Sequence, residues 1–562
     1  MPVRLPRLPV ALGAAGLPVL VIALLSLLPL ARLAMVALAP GADAAAPGFL
    51  AVVTSPAALA ATWRTLEVSA LGMIGALLLG VPAAVAVGAS DMPGRRLFAL
   101  LLILPLMIAP QVTALAYLKA FGPASPLLDL VGLKPPPGTP NPLLGRNGIV
   151  LLYAVQHAPL VFLTVRAGLA AIPRDLIEAA RVAGASQAMA LRTVVLPLLR
   201  PHLVAAAALA FVAGIGNFGI PALLGLPVGY TTLPTLIYQQ LASSGPRVLP
   251  DVAALSVLVG AIAAVSIGLQ ALALGGRTAI AAGAPIRLPL GRWRVPAAGL
   301  AFLVVGAALL VPLAGLVAAS LIPTFGVPLR ADTVTLSNYV EVLTRQAVTV
   351  RAFRNSLLLA GAAALIVAVL AILLARGLDR MPRRLARLIE GIADMPYALP
   401  GIVLAIACIL IFLKPLPLLG ISLYATPWII LFAYLSRFLP LALKPVTAAL
   451  AALPRELEEA AAAAGARPAR RLVTVVVPPL LPAALAGGLL VFLSAFNELT
   501  VSALLWSSGT ETLGVVLFNL EDGGYGTLAA AIAVATLVVA LLVLAVIDRL
   551  GRRLPPGVLP WR

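Results

Sequence analysis

Charge is scarce in this sequence. Asp, Glu, Lys and Arg make up 10% of 562 residues, against about a quarter in ordinary soluble domains. A single soluble core cannot hide so apolar a chain, whose mean hydropathy is +1.09; the excess apolar surface needs lipid as its solvent. Cysteine is nearly missing too. One residue, Cys408, lies inside an apolar run, so no intrachain disulfide can form and no thiolate cluster exists to hold a metal. The lone thiol reads as a small apolar packing residue. Two histidines, His157 and His202, stand far apart with no Asp or Glu at ligand spacing, which argues against a metal site on this chain. None of the four lysines, Lys119, Lys134, Lys414 and Lys444, follows a glycine. There is therefore no phosphate-loop lysine, and ATP hydrolysis, if used, belongs to another polypeptide.

What is present is apolar runs of about 20 residues, the length that crosses a bilayer. Six are expected in each half. In the first half they lie near 12–38, 66–89, 97–120, 148–171, 202–224 and 252–275. In the second they lie near 296–322, 355–376, 389–413, 426–449, 480–505 and 526–548. The expected fold class is an all-α polytopic membrane protein of about 12 transmembrane helices.

The net charge of +19 would suggest nucleic acid in a soluble protein. Here the arginines fall in short segments between apolar runs, as the positive-inside rule requires, so no nucleic-acid partner is expected. Arg4 and Arg7 precede the first run. A signal peptide cut after Ala37-Leu38-Ala39 would leave Pro40 behind the cut, and the run exceeds an ordinary signal core, so it reads as a retained first helix. With the N-terminus in the cytoplasm, the inner segments receive Arg95 and Arg96, then Arg174, Arg181, Arg192 and Arg200, then Arg277, Arg287, Arg292 and Arg294. The second half adds Arg376 to Arg387, Arg455 to Arg471, and Arg549, Arg552 and Arg553. An even number of spans returns the C-terminus to the cytoplasm. The segment 330–354 runs against this rule, with Arg330, Arg345, Arg351 and Arg354 on the expected outer side; the 506–525 loop there is acidic, with Glu511, Glu521 and Asp522.

The chain also repeats itself. Pro173-Arg174-Asp175-Leu176-Ile177-Glu178-Ala179-Ala180 returns 281 residues later as Pro454-Arg455-Glu456-Leu457-Glu458-Glu459-Ala460-Ala461. Gly184, Pro197 and Pro201 return as Gly465, Pro478 and Pro482 at the same offset. Upstream, Met92-Pro93 matches Met381-Pro382 and Pro110 matches Pro400, at offsets of 289 and 290; a longer Pro/Gly-rich loop around 122–147 absorbs the difference. Residues 1–281 and 282–562 thus read as two transmembrane domains, parallel repeats about an axis along the membrane normal.

The repeated stretch is legible physically. Pro173 and Pro454 suit the first turn of a helix. Asp175 and Glu456 favour the positive end of its dipole. Ala179, Ala180, Ala460 and Ala461 form helix well and let another backbone approach. Gly184 and Gly465 permit a left-handed cap. A second short helix is expected over 185–195 and 466–476, with Pro197 and Pro478 at the start of the next span. Two short surface helices per half would make a plug for a cytoplasmic partner.

This pattern resembles the EAA loop of binding-protein-dependent permeases of ATP-binding-cassette importers. The resemblance covers both halves (173–201 and 454–482) and implies the fold of the type I importer permeases, with two domains fused in one chain. It implies that Glu178, Ala179, Ala180, Gly184 and Pro197, with Glu459, Ala460, Ala461, Gly465 and Pro478, couple to a cytoplasmic ATPase dimer. ATP and magnesium would then sit on that partner, with no cofactor and no catalysis on this chain. A periplasmic binding protein would deliver the solute to a permease in the bacterial inner membrane. The segment Ser494–Trp506, with Thr512-Leu513-Gly514, and the segment Asn217–Gly225 are similar to regions of ferric-iron permeases. Thiamine, polyamine and oxyanion permeases share the EAA loop and stay open as alternatives.

Glu498 lies deep in the eleventh run, where an ionised group is costly unless it faces protein or water. Its repeat mate is Asn217, so the two are expected to face each other across the pseudo-twofold axis. With Asn497 they form the candidate translocation path, against a structural reading as bonds between helices. Gln111, Gln270 and Arg437 read as structural bonds. An ion-coupled secondary transporter, the other class considered, would need a relay of ionisable groups at the midplane, and none is present.

Overall fold

The computed structural model describes residues 16–38, 48–136, 138–245, 247–274, 290–416 and 420–551. The domain boundary at 281/282 and Arg4, Arg7, Arg277, Arg287, Arg552 and Arg553 lie outside the described residues. Every regular element among the described residues is helical. The first half runs α1 (Gly16–Leu38), α2 (Pro56–Gly88), α3 (Arg95–Met107), α4 (Pro110–Phe121), α5 (Arg146–Ala170), α6 (Arg174–Val182), α7 (Leu191–Ile215), α8 (Gly219–Leu224), α9 (Leu233–Leu241) and α10 (Val248–Leu274). The second runs α11 (Gly291–Ser320), α12 (Ala347–Asp379), α13 (Arg383–Ala398), α14 (Gly401–Phe412), α15 (Pro427–Ala451), α16 (Arg455–Ala463), α17 (Pro468–Phe496), α18 (Ser502–Leu505), α19 (Leu513–Asp522) and α20 (Gly526–Gly551).

Two sequence expectations are corrected. The third span of each half is not one straight helix: α3 and α4 meet at 105°, and α13 and α14 at 102°. Pro110 and Pro400 sit at the two corners. A proline pushes the preceding residue into extended backbone, and Ala109 (ψ 137°) and Leu399 (ψ 150°) adopt it. The spans also start earlier than hydropathy suggested, at Pro56, Leu191, Ala347 and Pro468. At Pro56, Ser55 caps the helix by accepting from the Ala58 N–H, and the proline occupies the first turn.

In the first half, small residues set the helix packing. Gly72, Gly75 and Gly80 of α2 lie against Tyr153, Ala154 and Val161 of α5, so closely that a Cβ would overlap them. The contacts advance together along both helices, so α2 and α5 run parallel. The chain between them must therefore return across the layer, and the bent α3–α4 pair makes that single crossing.

Both surface loops lie at one end of the molecule. The α2 C-terminus and the α5 C-terminus, which leads into α6, are together, since Gly88 meets Leu169. The start of α11 is at this same end, because the Leu290 N–H donates to Asp91 (2.9 Å) and Gly94 meets Phe302. From there α11 runs to the far end, where Asn338 donates to Ser320 and Ile322 carbonyls just before α12 begins. The return of α12 brings Arg376 onto Glu458 of α16. At the far end the segment that offended the charge rule is partly neutralised: Arg351 donates two hydrogen bonds to Glu511 (2.9 and 3.0 Å), and these hold that carboxyl below its ordinary value.

The halves exchange their first helices. In the first half, α1 packs on the second half: Arg32 donates to the Leu410 carbonyl of α14, and Ser436 of α15 donates to the Leu25 carbonyl. Reciprocally, α11 packs on α4, where the Tyr117 hydroxyl donates to the Ala308 carbonyl (2.7 Å).

Candidate functional site

Two regions hold the candidate residues. The first is the pair of surface loops. Pro173 and Pro454 stand just before the first helical residue, in extended backbone, rather than within the first turn. The helix Arg174–Val182 ends on Gly184 at φ +90° and Arg455–Ala463 ends on Gly465 at φ +78°. The Ala185 N–H donates to the Ala180 carbonyl and the Ala466 N–H to the Ala461 carbonyl, both at 3.0 Å. That six-to-one bond completes the left-handed cap in each copy. The second short helix is not separate. The turn Gln187–Ala190 continues into Leu191–Val195 and on through Pro197 to Ile215. Pro468 likewise leads without a break to Phe496, through Pro478. In each case a wide turn with bonds five residues apart (Leu191–Val195, Leu472–Val476) precedes the proline. Such a turn shifts the carbonyl that the proline ring would strike, so the helix survives it.

The two plugs are largely exposed. Glu178 pairs with Arg174 one turn back (2.6 Å), with both side chains half exposed. Glu459 is exposed, and its neighbour Glu458 is bound to Arg376. Apolar side chains stand out beside them, Val182 at 90% exposure, with Leu176 and Leu457 near half.

The second region is the crossing at the centre, where the corners of the bent spans meet the ends of α7 and α17 from the opposite half. Gly216 lies against Pro400: a Cβ there would stand 3.3 Å from the Pro400 Cα. Asn497, the repeat mate of Gly216, donates to the Met107 carbonyl (3.1 Å), and Gln111 returns a bond to the Asn497 carbonyl (3.2 Å). Each half thus closes on the other's corner. Asn217 and Glu498 hold equivalent places, and each is hydrogen-bonded to backbone of its own half rather than to the other. Asn217 accepts from the Ile220 N–H (3.1 Å); Glu498 accepts from Val501 (2.8 Å) and Ser502 (3.1 Å). Both take up free backbone N–H groups at the start of the short helix that follows. Glu498 is buried and Asn217 half buried.

Sequence reasoning missed Gln156, which donates to the Pro105 carbonyl (2.8 Å) exposed by the first corner. Its repeat mate is Arg437, whose guanidinium packs against Gly401 at the second corner, with its buried Nη1 meeting no acceptor. The corners trade bulk: Gln111 and Gln156 in one, Gly401 and Arg437 in the other. Also missed is Lys119, paired with Glu521 of the other half (2.8 Å). A lysine in an apolar run and an acidic outer loop were its only signals. No group of His, Cys, Asp and Glu at metal-binding distance occurs among the described residues.

The sequence matches the family model described as binding-protein-dependent transport system inner membrane component twice, over residues 72–277 and 367–559. A probable ABC transporter permease of Sinorhizobium fredii is 26% identical over 472 residues, which cover 82% of this chain and 81% of that protein. The molybdenum transport system permease protein ModB of Mycobacterium tuberculosis is 31% identical over 239 residues, 42% of this chain and 85% of its own. A ferric transport system permease protein of Actinobacillus pleuropneumoniae is 26% identical over 443 residues, 75% of this chain and 61% of its own.

Proposed function

This chain belongs to the family of binding-protein-dependent transport system inner membrane components, and on that premise we propose how its two plugs and its centre move a solute. The chain is a multi-pass inner membrane permease subunit of an ATP-binding-cassette importer. In our reading both termini and both plugs face the cytoplasm, and an ATPase dimer takes hold of α6 and α16. The observation that carries this is the pair of exposed helices at one end of the molecule, capped alike at an offset of 281. Val182, Leu176 and Leu457 offer the partner apolar surface that water disfavours. ATP closes the ATPases, the plugs move with them, and the halves rock at the central crossing. A binding protein at the far end supplies the solute. Work comes from the partner's differential affinity for two states, so no bond chemistry is assigned to this chain.

The solute we propose is ferric iron, supported by a ferric permease whose similarity extends over three quarters of this chain and so through both halves. Asn217, Asn497 and Glu498 would border the path where the crossing opens. A molybdate-like oxyanion is the second reading. The buried Nη1 of Arg437 at the second corner, which meets no hydrogen-bond acceptor, favours it, since that free donor suits an oxyanion's oxygen and cannot serve a bare cation, even with the Glu498 carboxyl within electrostatic reach of the guanidinium. Uptake of labelled iron and labelled molybdate, in a strain deleted for the chain and restored with it, separates the two. Restored uptake of neither sinks both solutes. The assembly is tested by Glu178→Ala with Glu459→Ala. ATPase co-purification and uptake should fall together by at least about tenfold, the loss expected when buried charge-assisted bonds at an interface go. A double variant that still holds its ATPase and transports would refute the plug assignment.

A further inference from the structure

At the plug end, the two halves seat their plugs by different chemistry. In the first half Val87 of α2, Ile177 of α6 and Ala190 all belong to one buried apolar cluster. The repeat mates of these three are Arg376, Glu458 and Arg471. Charged side chains cannot close the same gap, and a cavity of about 760 Å³ opens between α12, α13, α15 and α16. Six arginines line it: Arg376, Arg380, Arg383, Arg387, Arg455 and Arg471. Against them stand four carboxylates, Asp379, Glu390, Glu458 and Glu459. Two of these are already engaged: Glu458 and Asp379 bind Arg376, and Asp379 also meets Arg455 at 3.8 Å.

The guanidiniums left over are crowded. Partial desolvation at the cavity wall, with Arg376 and Arg471 close by, pushes Arg380 below its ordinary value even though its side chain is largely exposed, and Glu458 and Asp379 only partly counter this. Arg471 turns a buried Nε inward that meets no acceptor. A buried donor without a partner costs stability that a bound acceptor would restore. The donors are planar forks, the geometry that fits two oxygens of one phosphate.

We propose that this cavity binds a phosphate group, held by Arg380 and Arg471 beside the Arg376–Glu458 pair. Its two sources are the headgroup of an acidic phospholipid in the adjoining leaflet and a soluble phosphate compound. The cavity is lined by the start of the bent span α13 and the end of the spanning helix α15, at the plug end of the molecule, and basic clusters beside the ends of spans attract anionic lipid. The bound phosphate fixes the second plug to α12 through shared arginines, while the first plug is seated on an apolar cluster. The site requires only the fold and not the transport assignment, so it is tested without uptake.

The test uses the full chain in nanodiscs of phosphatidylcholine, with phosphatidylglycerol added in one series and inorganic phosphate in another, reading melting temperature and lipid retained in native mass spectra. Arg380→Gln with Arg471→Gln is compared with the wild type and with Arg96→Gln, an exposed arginine at the same end of the other half. Either phosphatidylglycerol or phosphate should stabilise the wild type and the control, and half-saturation should rise at least about tenfold in the double variant. A response to the lipid identifies a headgroup; a response to inorganic phosphate alone identifies a soluble ligand. Equal responses in wild type and double variant overturn the proposal. So does loss of ATPase co-purification with both phosphate responses unchanged, which would assign the arginines to the partner protein. If the double variant does not fold, Arg380→Gln alone, at an exposed position, should weaken the response by about threefold to fivefold, and no weakening counts against the site.

Discussion

At Gly184 and Gly465 one backbone angle decides whether the plug helix stops in time. Nothing lies within 4 Å of a Cβ added at either glycine, so sterics with neighbours play no part. The cost of a side chain comes from φ of +90° and +78° alone, about 1–2 kcal/mol for a non-glycine residue in the left-handed region. Gly184→Ala or Gly465→Ala should therefore leave the bundle's melting temperature nearly unchanged, because each plug is an exposed appendage. The same change should loosen the cap, speed amide exchange at Ala185 or Ala466, and weaken ATPase co-purification. Substitution by Asn, which tolerates this region better, should recover part of the loss. Unchanged exchange at the cap would mean that another contact holds the turn.

At the scale of elements, periodicity and caps were legible where the cause is local. Gly184, Asp175 and the alanines act within one helix, and the plug helices formed where those residues put them. The corner at Pro110 was not legible. Hydropathy runs on through it, and the two carbonyls released there, Pro105 and Ile108, are satisfied by Gln156 from a helix some 50 residues away in sequence. The bond between Lys119 and Glu521 was hidden for the same reason, since its partners lie 402 residues apart. Lys119 is 5% exposed and Glu521 17%, so each charge depends on the other. Removing one leaves an unpaired buried charge. Lys119→Met should cost about 3 kcal/mol or more, while Lys119→Met with Glu521→Leu should recover most of it. Unfolding in detergent measures both. A double variant no better than the single would show that the pair does more than cancel charge between α4 and α19.

Across the whole molecule, the exchange of α1 and α11 ties the halves together at their edges, while the crossing of corners and span ends closes the centre. Rocking can keep the first and must undo the second, because Gly216 with Pro400, and Asn497 with Met107, each join opposite halves. A Cβ built on Gly216 stands 3.5 Å from the Pro400 Cβ, at the short end of the roughly 3.5–4.5 Å range that a disulfide requires. The buried native thiol is first removed as Cys408→Ala. Gly216→Cys with Pro400→Cys should then form a bond under mild oxidation, stop solute uptake, and regain uptake on reduction, with each single cysteine variant active throughout. ATP hydrolysis measured alongside distinguishes two kinds of coupling. If it stops with uptake, the plugs and the centre move as one rigid lever, as the continuous helices from Gln187 to Ile215 and from Pro468 to Phe496 imply. If hydrolysis continues while uptake is locked, the wide turns ahead of Pro197 and Pro478 yield instead. Uptake that persists with the disulfide formed would place the moving seam elsewhere than the crossing.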